Sequence, residues 1–160
     1  MSKTLVAYFS ASGVTAGAAK AVAQTLQADL YEITPKERYI DADLDWRNAE
    51  SRSSVEMKNK TLRPEIVTTD ARADRYDVIL LGFPIWWYVA PTIVNTFLEQ
   101  YDLSGKRIVL FATSGGSGFG KTAEELKVSV DKSAVIEEGM LQRGAQDLNA
   151  WKQWAQSLKL

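Results

Sequence analysis

The chain contains no cysteine and no histidine. Their absence excludes disulfides, thiol nucleophiles, structural zinc, imidazole-ligated haem and imidazole general bases. A redox role would therefore need an organic cofactor. An excess of charge of either sign is also missing: 19 Lys and Arg face 20 Asp and Glu, for a net charge of −1. Nothing draws the protein as a whole to nucleic acid or to an anionic membrane, and any bound anion must be held locally. The N-terminal stretch MSKTLVAYFSASG has one Lys before an apolar run that turns polar too soon for a signal peptide or membrane span. A cytoplasmic protein is expected.

What is present fits one globular domain over residues 1–160: 46% apolar and 24% charged residues in 17.8 kDa, enough to bury a core unaided. Lys3 to Phe9 (KTLVAYF) reads as a strand buried on both faces, followed by a helix over 14–28 with Val14, Ala18, Val22 and Leu26 on one stripe. Leu30 to Thr34 is a short second strand. Residues 39–72 read as a long crossover in which Ala42 to Met57 is the expected helix. Tyr76 to Phe83 (YDVILLGF) is a strong strand, with a helix from Ala90 to Tyr101 whose first turn suits Pro91. Lys106 to Thr113 repeats the pattern, and the Gly-rich loop after it opens a helix through Val130. Ala134 to Ile136 forms a last short strand. The closing helix, Asp147 to Leu158, carries Leu148, Trp151, Trp154 and Leu158 on one stripe. Five such alternations predict an α/β fold with a parallel sheet covered on both faces, and ligands beyond the C-terminal strand ends.

Three loops then carry the chemistry. Ser10, Ala11, Ser12, Gly13, Val14 and Thr15 lie between a buried strand and a helix start, where amides, hydroxyls and the helix dipole can cradle a phosphate. The plainer reading is that Ser10 or Ser12 caps the helix. Pro84, Ile85, Trp86, Trp87 and Tyr88 put three aromatics at a strand end, suited to stacking on a planar heterocycle. At least one of them is expected to serve as a core plug. Thr113, Ser114, Gly115, Gly116, Ser117, Gly118 and Phe119 form a loop with amides open to polar ring edges, and residues 115–120 include four glycines.

In their order of elements and in the SASGVT, PIWWY and TSGGSG loops, these residues resemble the flavodoxin family along the whole chain. Ser10, Ser12, Gly13 and Thr15 match the family's T/S-x-T-G-x-T, with Ser where Thr is more usual at position 12. YIDADLDW, SRSSVEM and RPEI resemble a bacterial flavodoxin-like subgroup with a long second crossover. The resemblance implies a flavodoxin-like three-layer sandwich with strand order 2-1-3-4-5. It also implies FMN, with its phosphate on Ser10 to Thr15 and its isoalloxazine ring between the Trp86 to Tyr88 and Thr113 to Phe119 loops.

Rival readings exist. Gly115 to Thr122 (GGSGFGKT) matches the P-loop pattern, but it follows the fourth strand, the third strand ends without a carboxylate, and only Asp131, Glu137 and Glu138 remain as magnesium organisers. A phosphorylatable receiver domain would need Asp where Ser10 and Pro84 stand. A one-electron carrier flavodoxin would be strongly acidic and would carry a Gly in the Pro84 to Pro91 loop, which has none. The expectation is a flavin-dependent oxidoreductase, a monomer or homodimer in which the flavin is the reactive centre and no side chain need be catalytic. NAD(P)H would bind transiently over the flavin to reduce quinone-type acceptors.

Overall fold

A computed structural model describes residues 3–67 and 70–160. Five strands, β1 (Thr4–Tyr8), β2 (Asp29–Glu32), β3 (Val78–Pro84), β4 (Arg107–Ser114) and β5 (Val135–Arg143), form one parallel sheet in the order β2-β1-β3-β4-β5. The helices are α1 (Val14–Leu26), α2 (Arg52–Lys58), α3 (Thr92–Glu99), α4 (Thr122–Leu126) and α5 (Leu148–Ser157). This is the three-layer α/β sandwich and strand order that the resemblance implied.

The central strands are apolar on both faces because each face has its own helix layer. Leu5, Ala7, Ile79, Leu81, Ile108 and Leu110 point to the side of α3, whose Ile93, Val94, Phe97 and Leu98 are buried there. The alternate residues Val6, Tyr8, Val78, Leu80, Val109 and Phe111 point to α1 and α5. On this second side the Phe111 ring packs against Trp151 and Trp154, with centroids 5.7 and 5.9 Å away. Gly82 makes the room: a Cβ there would lie 2.3 Å from Phe111 Cε2. In α1 the small residues Ala18, Ala19, Ala21 and Ala23 are buried, so the helix lies close to the sheet.

Several expectations are corrected. Val14 and Leu148, assigned to apolar stripes, are exposed at 40% and 44% because each opens its helix at the rim. Only the second part of 42–57 is helical, as α2, after a 3-10 turn at Asp41–Leu44. The last strand is far longer than Ala134 to Ile136. As an edge strand β5 has one neighbour and tolerates Glu137, Glu138 and Gln142, which hid it, and its pairing with β4 shifts register between Leu110 and Ala112.

The long crossover is pinned at its neck by a short antiparallel contact between Pro35 and Ile66, where Lys36 N donates to Glu65 O and Val67 N to Thr34 O. The excursion between these points folds back over the strand ends.

Candidate functional site

Because the strands are parallel, the loops after β1, β3 and β4 share one rim. At the first, Gly13 ends the loop with φ of 98° and precedes α1, which has neither a side-chain cap nor an acidic residue in its first turn. Ser10 does not cap the helix. Its Oγ accepts from Gly13 N at 3.1 Å, curling the loop back on itself. Ser12 and Gly13 are exposed, Ser10 and Ala11 half-buried. The leading N–H groups of α1, which no helix carbonyl can reach, face outward at a dipole's positive end. Thr15 is buried instead, with its Oγ1 2.8 Å from Thr113 Oγ1 at the end of β4.

The second loop is a tight turn: Trp86 N donates to Val89 O at 2.9 Å and Val89 N to Trp86 O at 3.1 Å. Its central residues, Trp87 and Tyr88, have φ of 48° and 68°. That is the signature of a type I′ turn, which ordinarily takes Asn and Gly. Aromatic side chains there store backbone strain. Trp86 is the core plug, edge-on to Phe9 at 5.8 Å and to Tyr39 at 5.4 Å. Trp87 and Tyr88 are 43% and 66% exposed. Ile85 N donates to Thr113 O, tying this loop to the third.

In the third loop Ser114 Oγ accepts from Gly116 N at 3.1 Å, and Arg143 Nε donates to Gly116 O at 3.1 Å. Gly120 has φ of 53°, and a Cβ on it would meet Tyr88 O at 2.4 Å, so glycine is required where the two loops touch.

A cavity of about 470 Å³ opens between the second and third loops. Of the expected residues it brings together Ile85, Trp86, Trp87, Tyr88, Gly115, Gly116 and Ser117; Ser10 to Thr15, Pro84, Thr113, Ser114, Gly118 and Phe119 stand outside its wall. The outer wall is Leu44, Trp46 and Ser53 from the crossover, which the sequence reading missed. Trp46, an indole in a polar stretch and 70% exposed, was the one signal pointing to them. Tyr39 anchors this wall. Its ring packs on Phe9 and lies 3.8 Å from the Arg52 guanidinium, and its hydroxyl donates to Glu56 Oε1 at 2.5 Å. Burial, then that bond to a carboxylate, raise its pKa far above the usual phenol value.

The P-loop reading fails on geometry. Thr122, which would hold magnesium, is buried and donates to Phe119 O, and α4 has five residues. Asp131 and Glu137 lie towards the opposite rim, where Asp131 accepts from Ser133 and Glu137 pairs with Arg107. Among the described residues no group of three acidic, His or Cys side chains could hold a metal, and no helix is long and apolar enough to cross a membrane.

A sequence model of the flavodoxin family matches residues 3–158. The chain belongs to the flavodoxin family. It is similar to proteins assigned as flavoproteins from Bacteroides eggerthii DSM 20697 (46% identity, TM-score 0.86, 98% of this chain and 97% of the other) and from Bacteroides uniformis ATCC 8492 (45%, 0.88, 98% and 99%). A flavoprotein from Lactobacillus acidophilus NCFM, solved in complex with FMN, is 22% identical with a TM-score of 0.69 over 94% of this chain and 99% of that one, a likeness of fold. NAD(P)H dehydrogenase (quinone) 1 from Rattus norvegicus is 27% identical over 41% of this chain, and the match spans 30% of that protein's length.

FMN is the cofactor of this flavodoxin-family chain. The rim suits it on its own chemistry: an uncapped helix start beside serine hydroxyls for a phosphate, exposed indole and phenol rings for a planar heterocycle, and opposite them Gly115 and Gly116, where even an added Cβ would meet nothing within 4 Å. The Ser53 hydroxyl, 2% exposed on the cavity wall, has no hydrogen-bond partner among the described residues. A buried polar atom left so is a costly arrangement for an empty cleft.

Proposed function

We propose that this flavodoxin-family chain is an FMN-dependent oxidoreductase that reduces quinone-type acceptors in two-electron steps at the expense of NAD(P)H. The phosphate of FMN is held by Ser10, Ser12 and the amides from Ala11 to Thr15, and its ring by Trp87 and Tyr88 on one side and Gly115 to Ser117 on the other. Bound flavin supplies the hydride chemistry. The protein binds it, orients it and leaves one face open to a second ligand through the cavity. With no His or Cys in the chain, protons come from solvent or from an acid such as Tyr88.

The observation that carries this reading is the Trp86–Val89 turn. It holds two positive-φ positions without a glycine, and Gly120 packs against the Tyr88 carbonyl, so its peptides are hindered from turning over. A carrier that stabilises one-electron-reduced flavin relies on such a turnover, and a net charge of −1 steers protein partners weakly. The partial similarity to a quinone-reducing dehydrogenase supports the same direction. Anaerobic titration of the FMN-loaded protein with dithionite tests it. The reading expects oxidised flavin to pass to fully reduced flavin without a stable blue intermediate, and NAD(P)H to sustain quinone reduction. A large blue species, with no reduction by NAD(P)H, restores the carrier reading.

A further inference from the structure

A second cavity, of about 300 Å³, adjoins the one described above and shares two of its walls, Trp46 and Trp87. Its character is different. Arg47, Lys58 and Lys60 line it, against an apolar floor of Met57 and Val89. Lys58 sits in the last turn of α2; among the described residues its Nζ donates once, to Ala49 O at 3.2 Å, and meets no carboxylate, which leaves two of its three N–H groups for a ligand. Arg47 meets Asp45 only at 3.5 Å, with its side chain 77% exposed. Lys60 pairs with Glu125 across the surface. Asp45 and Glu125 are thus the ion-pair partners of two of these cations among the described residues, and neither lines the cavity. Exposed ion pairs of this kind are weak and exchange partners readily.

The two cavities together present a path with a flat aromatic end and a basic end, divided by an indole ridge. Building on the reading above, we infer that this path is the seat of the hydride donor: the nicotinamide ring of NAD(P)H enters the aromatic cavity between Trp46 and Trp87, and its phosphates lie in the basic cavity on Arg47, Lys58 and Lys60. The crossover segment, which supplies Trp46, Arg47, Lys58 and Lys60, is then the donor-recognition element of this chain. An uncharged quinone uses the aromatic end alone. The alternation of ligands over one flavin face follows, since both need the space between the indoles.

The test separates phosphate recognition from flavin chemistry. Lys58→Gln and Arg47→Gln are compared with the natural protein, each loaded with FMN, using NADPH, NADH and N-benzyl-dihydronicotinamide, a hydride donor without phosphates. Each substitution is expected to raise the KM for NADPH on the order of tenfold, the equivalent of one charge-assisted hydrogen bond, while kcat and the phosphate-free donor's kinetics stay as they were. NADP+ binding followed by calorimetry should weaken in parallel and should fall with ionic strength. If NADH is affected as strongly as NADPH, the diphosphate is the group held; if NADPH alone responds, it is the 2′-phosphate. Equal loss with all three donors, unchanged NADP+ binding in both variants, or no discrimination between NADPH and the phosphate-free donor in the natural protein would overturn the inference. The last two outcomes leave quinone reduction by flavin standing. Failure of every donor to reduce the flavin removes both readings.

Discussion

The hydroxyls of Thr15 and Thr113 meet at 2.8 Å, although 98 residues separate them in the chain. The contact fastens the first turn of α1 to the last residues of β4, and so fixes the spacing between the anion-binding loop and the glycine loop. Both residues are buried, at 2% and 7% exposure. Removing one hydroxyl strands the other.

Thr15→Val or Thr113→Val alone is therefore expected to lower stability by about 1–3 kcal/mol, whereas the double variant recovers most of that loss. Denaturant unfolding of the four proteins measures the coupling. Additive losses would show that the bond holds nothing together.

The strained turn yields an unusual pair of expectations. Replacing Trp87 and Tyr88 by Asn and Gly gives the turn the residues its backbone angles favour, and the flavin-free protein should gain about 1–2 kcal/mol. Loss of the two exposed rings should weaken FMN binding at the same time. Urea unfolding and the quenching of flavin fluorescence on binding report the two effects independently.

At the anion loop, Ser10→Ala and Ser12→Ala should each weaken FMN roughly tenfold, the worth of one hydrogen bond to a charged group. Riboflavin, which lacks the phosphate, should bind these variants as it binds the natural protein. Equal losses for both flavins would move the phosphate elsewhere.

Beneath the site, Gly82→Ala drives a methyl group into the Phe111 ring and should cost about 1–3 kcal/mol of stability. Phe111→Leu in the same chain should restore part of it. A change in melting temperature that Phe111→Leu cannot relieve would point to the strand backbone instead.

Tyr76 and Tyr39 both contribute to the alkaline limit. Tyr76 donates to Asp29 Oδ2 at 2.6 Å, and this bond, followed by burial, pushes its pKa up from 10.0 to about 12. Below pH 10 both the folded and the unfolded chain keep the proton and the contribution is complete. Above it the unfolded chain loses its proton first, so stability falls as pH rises towards 12. Tyr39, raised by burial and by Glu56, adds to the same decline. Tyr76→Phe should flatten the fall in melting temperature across that window.

The loops' membership of one rim was legible from local pattern. Buried strands such as Tyr76 to Phe83 announce themselves by unbroken apolar runs, and parallel strands send all their following loops to the same end. The start of the edge strand β5 and the presence of a helix in the crossover were legible but their extents were not, because an edge needs one partner only and α2 takes its place through Tyr39, Arg52 and Glu56 rather than through an apolar stripe.

The sequence by itself determined the layered sheet and the hydroxyl-rich and glycine-rich loops, which follow from residue type at short range, and, through the absence of Cys and His, that a redox role would need an organic cofactor. Only the tertiary structure decided that Thr15 turns inward to Thr113, that Trp86 is the plug while Trp87 and Tyr88 face solvent, and that Trp46 and Ser53 close the cavity. Each of those outcomes depends on contacts between segments tens of residues apart, whose energy is settled by packing and not by local preference.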